Sequence, residues 1–221
     1  MTPVWEGEIP CRYLGAAVDS FDEDGNSVVG SQGELVLTEP MPSMPVGFWG
    51  DTDGSRYREA YFEHYPGVWR HGDYVLFHGD TGGVTFYGRS DSVLMPSGVR
   101  IGTAEIYRQV EKLDEVLESL AIGQDWQGDQ RIVLFVRLRD DLALDDTLVQ
   151  KIRKTIRDNT TPRHVPARVV QVTDIPRTIS GKIVELAVRN AVHGRPVKNT
   201  DALANPEALD QFRNRPELDR D

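Results

Sequence analysis

Residues 88–107, GRSDSVLMPSGVRIGTAEIY, decide the fold. The segment leaves a strand-like run at Val84 to Tyr87, bends at Pro96-Ser97-Gly98, and enters helical spacing at Ile106, Val110 and Leu113. Arg89 and Arg100 flank the bend, and Asp91 stands between Arg89 and the bend. The hydrophobic pattern changes here, so the spacing places a domain boundary near Asp91. A second run, IPRTISGK at residues 175–182, sets Lys182 behind Ser180-Gly181, in a loop between an expected strand and an expected helix.

Residues 1–90 read as short strands broken by turns. Ala16 to Val18 leads into a hairpin-type turn at Asp22 to Asn26, and Gly33 to Leu37 returns as a strand. Pro40, Pro42 and Pro45 break regularity, and Arg56 to His64 fits a short helix with Tyr57, Tyr61 and Phe62 on its apolar side. Trp69, Tyr74 to Phe77 and Val84 to Tyr87 follow as strands, the last two joined through Gly79 to Gly83. Phe48, Trp49, Phe62 and Trp69 are expected to lie exposed, as though a partner surface were missing.

Residues 91–197 alternate helix and strand. Thr103 is positioned to cap a first helix, and strands at Val116 to Ile122 and Ile132 to Leu138 surround a turn at Gln124 to Asp129. Asp145 is positioned to cap a second helix bearing Leu148, Ile152 and Ile156. A third strand follows at Val169 to Val172, then a third helix from Ile183 to Val192, ended by Gly194. The fold class is α+β. Residues 198–221 read as a polar tail with at most a short helix.

Composition narrows the classes. A formal charge of −10 lacks the basic stripe that nucleic acid requires. One cysteine, Cys11, forms no internal disulfide and suits a reducing cytoplasm. No apolar run reaches membrane-spanning length, and MTPVWEGEIP lacks a signal peptide's basic and apolar regions. The expectation is a cytoplasmic protein without nucleic-acid or membrane partners.

Several groups carry possible chemistry. An ammonium at Lys182 could neutralise charge building on a phosphoryl group, although a lysine at such a junction, taken alone, is most simply solvated. The Ser-Gly-Lys run is not a phosphate-binding P-loop, because no glycine stands five residues before Gly181. Arg89 and Arg100 offer two guanidinium forks for ribose and phosphate oxygens, or equally surface ion pairs. Asp73, in Trp69-Arg70-His71-Gly72-Asp73, suits a pair of ribose hydroxyls, while an Asp closing a turn is commoner. His71, His164 and His193 read as turn or packing residues, and no cysteine–histidine spacing fits a metal.

The order of these motifs joins them. WRHGD resembles the aromatic-x-x-Gly-Asp ribose motif of the adenylate-forming enzymes, a superfamily of acyl-CoA synthetases, luciferases and peptide-synthetase adenylation domains. GRSDSVLMPSGVRIGTAEI resembles their hinge motif and PRTISGK their catalytic-lysine motif, in the same order. GELVLTEPMPSMPVGFW resembles the strand-loop segment ahead of the ribose motif. From about Trp5 to Phe212 the chain resembles the C-terminal portion of the acetoacetate–CoA ligases within that superfamily, through GVRIGTAEIYRQVE, TPRHVPARVVQVTDIPRTISGKIVELAVRN and PVKNTDALANPEALDQF.

The resemblance implies roles. Residues 1–90 become the β-rich end of a large AMP-binding domain, and residues 91–197 its mobile C-terminal partner. Asp73 and Arg89 would bind the AMP ribose, and Asp91 would be the hinge. Arg100 would meet phosphate in one orientation, and Lys182 would serve adenylation in the other. Ser97 and Gly98 would border the passage for the CoA pantetheine arm. ATP, CoA and acetoacetate are the implied substrates, with magnesium accompanying ATP and AMP as a product. Met95 departs from the polar residue usual at that place, but is no expected ligand. The family's Thr/Ser/Gly-rich phosphate loop, adenine motif and acyl pocket do not occur in these residues. The expectation is therefore a C-terminal fragment of an AMP-forming acid–thiol ligase, incomplete and inactive alone without the missing N-terminal region. The alternative is an inactive relic or binding module with the same fold.

Overall fold

The computed structural model describes residues 2–220. The chain divides into two compact units, Met1–Asp91 and Ser92–Asp221. The first is built on a four-stranded antiparallel meander, β1 (Val18–Phe21), β2 (Gln32–Leu37), β3 (Trp69–Phe77) and β4 (Val84–Arg89), paired in that order. Leu35, Val75, Phe77 and Val84 form its small core. Strand β3 corrects the expected pattern. Trp69 and Tyr74–Phe77 belong to one strand, and Gly72-Asp73 lies within it, not in a closing turn. The strand tolerates this through Gly72 at φ 86°, which only glycine adopts without strain.

Helix α1 (Ser55–Tyr61) is shorter than expected, and its first amides donate to the Asp51 carboxylate (Arg56 N at 3.2 Å, Tyr57 N at 2.9 Å). It lays Tyr61 flat on Trp69 with ring centroids 3.7 Å apart, while Phe62 meets the same indole edge-on. Trp69 is thus buried, contrary to expectation, and Phe48 and Phe62 are half-buried. Trp49 is fully exposed, as expected.

The second unit centres on a three-stranded sheet, β5 (Val116–Trp126), β6 (Asp129–Leu138) and β7 (Arg168–Gln171). Strands β5 and β6 pair antiparallel through a two-residue turn, Gln127 and Gly128, both at positive φ (49° and 81°). That geometry is the twist-matched hairpin turn, and it is tighter than the expected Gln124–Asp129 loop. Strand β7 joins β6 in parallel after α2 (Thr103–Val110) has preceded the sheet and α3 (Asp146–Asn159) has crossed over; α4 (Glu185–Val192) follows.

The run Ile132-Val133-Leu134-Phe135-Val136 alternates between two cores, which is why it is continuously apolar. Ile132, Leu134 and Val136 face Ile106 and Val110 of α2 and Leu148, Ile152 and Ile156 of α3. Val133 and Phe135 face Val188 and Ala191 of α4. Asp145 caps α3 as expected, accepting Leu148 N–H at 2.7 Å. Helix α2 differs: Gly102 is the cap residue, its N–H donating to the Glu105 carboxylate at 2.9 Å, and Thr103 is already helical and buried.

Residues 198–221 correct the reading as a polar tail. Short 3-10 turns at Pro206–Phe212 and Pro216–Leu218 drive Leu209, Phe212 and Leu218 into the second core, where Phe212 meets Phe135 edge-to-face at 4.7 Å. Phe212 is fully buried. Phe212→Ala is expected to destabilise the second unit by about 3–5 kcal/mol, read as a lowered midpoint in urea unfolding. An unchanged midpoint would mean that the tail is dispensable.

Candidate functional site

Three clusters hold the expected site residues. The first lies on adjacent strands β3 and β4, where Asp73 stands directly opposite Arg89. The Asp73 carboxylate takes a 2.6 Å contact from His71 Nδ1 and lies 3.8 Å from Arg89 Nη1. Arg89 also donates to the His71 carbonyl at 3.3 Å and pairs through Nη2 with Asp91 at 3.3 Å. Partial burial works to lower the basicity of Arg89, but Asp91, Asp73 and Glu34 outweigh it and leave its pKa raised. A Cβ on Gly72 would come within 2.6 Å of the Arg89 guanidinium, the movable end of a half-exposed side chain, so it is the positive φ that calls for glycine there. Ala60, Tyr61, Arg70, His71, Gly72 and Arg89 line a shallow cleft of about 300 Å³ that also reaches Ser90 and Asp91.

Glu34, buried on β2, organises this cluster and was not anticipated. One of its oxygens accepts Gly72 N–H at 2.8 Å and Ser90 Oγ–H at 3.1 Å, and the other faces Arg70 Nε at 3.2 Å. A lone carboxylate inside the apolar run Gly33-Glu34-Leu35-Val36-Leu37 was the available signal, since buried charge demands partners. His71, read as a turn residue, instead orients Asp73.

The second cluster is the bend at Pro96–Gly98. Ser97 (φ 51°) and Gly98 (φ 73°) both take left-handed backbone. This conformation is held by Asp129, whose carboxylate accepts Ser97 N–H at 3.0 Å and Ser97 Oγ–H at 3.1 Å. Gln130 Oε1 accepts Met95 N–H at 2.6 Å, and Leu94 and Ile101 bridge across the base. The loop is thereby fastened to the β5–β6 hairpin. Arg100 is half-buried beside Ile101, which belongs to the first core. Further along, the buried His164 bonds Thr161 Oγ1 at 2.9 Å and lies 3.3 Å from Glu105, whose carboxylate accepts the N–H of the α2 cap residue Gly102.

The third cluster presents Lys182. It does not open directly onto a helix as expected: α4 begins three residues later, with Glu185 in its first turn. Lys182 instead ends a tight hairpin in which Arg177 and Ile183 bridge, Thr178 N–H donates to the Lys182 carbonyl at 2.9 Å, and Lys182 N–H donates to Thr178 Oγ1 at 3.1 Å. Gly181 at φ 83° makes the turn. Arg177 ties this hairpin to the sheet, donating to the Gly181 carbonyl at 3.0 Å and to Glu118 on β5 at 2.5 Å. The Lys182 side chain is exposed, and among the described residues no ion pair engages its ammonium. Asp73, Arg89 and Asp91 are gathered in the first unit; Ser97, Gly98, Arg100 and Lys182 belong to the second.

The similarity to known proteins extends over both units. Residues 108–182 match the family described as AMP-binding enzyme C-terminal domain. The fold matches the C-terminal part of the adenylate-forming enzymes. Within that class the chain is homologous to the acetoacetyl-CoA synthetases. It is 57% identical over 218 residues to the acetoacetyl-coenzyme A synthetase of Rhizobium meliloti (strain 1021), covering 99% of this chain and 33% of that protein. It is 48% identical to the acetoacetyl-CoA synthetase of Rattus norvegicus, covering 98% of this chain and 32% of the relative. The solved acetoacetyl-CoA synthetase from Streptomyces lividans superposes with a TM-score of 0.88 at 43% identity, covering 97% of this chain and 32% of that one. The chain thus spans about a third of the length of these relatives.

Proposed function

We propose that this chain is the ribose-gripping and lysine-bearing portion of an ATP-dependent acetoacetate–CoA ligase. The observation that carries the proposal is the 57% identity to an acetoacetyl-CoA synthetase along essentially the whole chain. In the complete enzyme, acetoacetate oxygen attacks the α-phosphorus of ATP and pyrophosphate leaves. The CoA thiol then attacks the acyl carbon of the adenylate, giving acetoacetyl-CoA and AMP. No covalent intermediate with a side chain is needed, so this chain contributes charge and position.

Asp73 is the acceptor for the ribose hydroxyls, and Arg89, fixed between Asp73 and Asp91, steadies the same ribose. Lys182 supplies positive charge as the phosphoryl oxygens become more negative. Arg100 meets phosphate in the thioester-forming orientation, and Ser97 and Gly98 border the pantetheine passage. Asp91 is the hinge between residues 1–90 and the mobile residues 91–197. Among the described residues no three His, Cys, Asp or Glu side chains converge to hold a metal. Magnesium is implied with ATP by the resemblance alone, and no step here is assigned to it. A reducing cytoplasm suits the exposed Cys11, and among the described residues no helix is long and apolar enough to cross a membrane.

The test is product analysis with this chain joined behind the N-terminal region of an acetoacetyl-CoA synthetase relative. Acetoacetate, ATP and CoA should yield acetoacetyl-CoA and AMP in equal amounts. ADP in place of AMP would overturn the proposal. No product from a folded, joined protein would favour an inactive relic.

A further inference from the structure

We propose that Asn205 is a positioning residue for Lys182, and that residues 202–205 act as a strap holding the lysine hairpin in its working geometry. The inference rests on the adenylation role proposed for Lys182. Its physical ground is a set of contacts that the hairpin cannot make by itself. The strap runs antiparallel along the hairpin's outer edge, bridging Thr178 with Leu203. Ile179 N–H donates to the Ala202 carbonyl at 3.0 Å, and Ala204 N–H donates to the Arg177 carbonyl at 2.8 Å. The strap therefore satisfies backbone groups on both sides of Thr178.

Asn205 completes the join. Its Oδ1 accepts Arg177 N–H at 2.8 Å, and its Nδ2 donates to Asp174 Oδ2 at 2.6 Å and to the Ile175 carbonyl at 3.1 Å. One amide thus serves three partners on the segment entering the hairpin. Only a side chain holding both donor and acceptor can do this; aspartate would keep the acceptor, lose both donors and face Asp174 with like charge. The strap is itself anchored, because Leu209 and Phe212 lie in the second core a few residues further on. Burial of the tail is thereby linked to the hairpin that carries Lys182. A reacting group must be held to within a fraction of an ångström, and a displacement of about 1 Å can cost about a hundredfold in rate.

The variants are Asn205→Asp and Ala204→Pro, made in the joined protein beside Lys182→Ala. Ala204 is exposed, and the preceding Leu203 is already extended (φ −86°, ψ 141°), as a residue before proline is, so Ala204→Pro removes one strap N–H without forcing Leu203 to change conformation. Two readouts are taken. Amide hydrogen exchange on the unjoined chain should show faster exchange at Arg177, Ile179 and Lys182 in both variants. In the joined protein, pyrophosphate exchange should fall about ten- to a hundredfold, while thioester formation from preformed acetoacetyl-adenylate stays within about twofold. Unchanged amide protection, or equal loss in both half-reactions with Lys182→Ala still selective, would overturn the strap's role. Full exchange activity in Lys182→Ala would remove the underlying reading, and this inference with it.

Discussion

Lys182→Ala in the joined protein is expected to slow acetoacetate-dependent pyrophosphate exchange by about 100- to 1,000-fold, the loss typical when one preorganised charge-stabilising group is removed. Thioester formation from preformed adenylate should change little. The expectation follows from the site's construction. The lysine hairpin is fixed by Thr178, by Arg177 through Glu118, and by the 202–205 strap, while the ammonium itself is exposed and engaged by no ion pair among the described residues. A group so held, with its charge uncommitted, meets a developing phosphoryl charge without first breaking another bond. Half-reaction rates measured separately check this, and equal losses in both would remove the step-specific role.

The second large effect is expected at Asp91, the last residue of the first unit. Proline there fixes φ near −65° and restricts the rotation that the hinge proposal requires. Asp91→Pro should separate the two half-reactions by about tenfold or more, some 1.4 kcal/mol on one barrier and not the other. Asp91→Ala is the control, because either substitution removes the 3.3 Å pairing with Arg89. If alanine reproduces the proline imbalance, the Arg89 contact and not the hinge is responsible. Wild-type rates in both steps for Asp91→Pro would discard the hinge.

Much of the fold was legible because its signals are local. Asp145 announces α3 by the capping geometry available to a short carboxylate, and Leu148, Ile152 and Ile156 keep helical spacing behind it. Asp73, Arg89, Ser97, Gly98 and Lys182 were singled out by the order of the motifs that hold them and the resemblance those motifs carry, since residue type and spacing alone left each of them open. What escaped the sequence reading depends on partners distant along the chain. Trp69 was expected at the surface, yet Tyr61 and Phe62 at the end of α1 cover it. Residues 198–221 read as polar because Leu209, Phe212 and Leu218 stand among many charged and amide residues, although each reaches the second core. Glu34 and Gly72 are 38 residues apart, and Asn205 and Arg177 are 28 apart. No local pattern records such pairings.

Gly102 shows the same limit at closer range. Thr103 has the side chain of a helix cap, but Glu105 reaches back to the Gly102 N–H and makes glycine the cap. Threonine, one place later, is released to be buried. The first expectation followed side-chain preference, and the observed start follows the reciprocal bond three residues on.

The most direct measurement of the central claim is acetoacetate-dependent pyrophosphate exchange by the purified 221-residue chain, alone and joined behind a relative's N-terminal region. Adenylation needs backbone donors around the β- and γ-phosphates and a pocket aligning the acid. On the proposed function the chain contributes Asp73, Arg89, Arg100 and Lys182, and the relative's N-terminal region contributes those further parts. The expected result is no exchange by the chain alone and robust exchange once joined. Robust exchange by the chain alone would contradict the account.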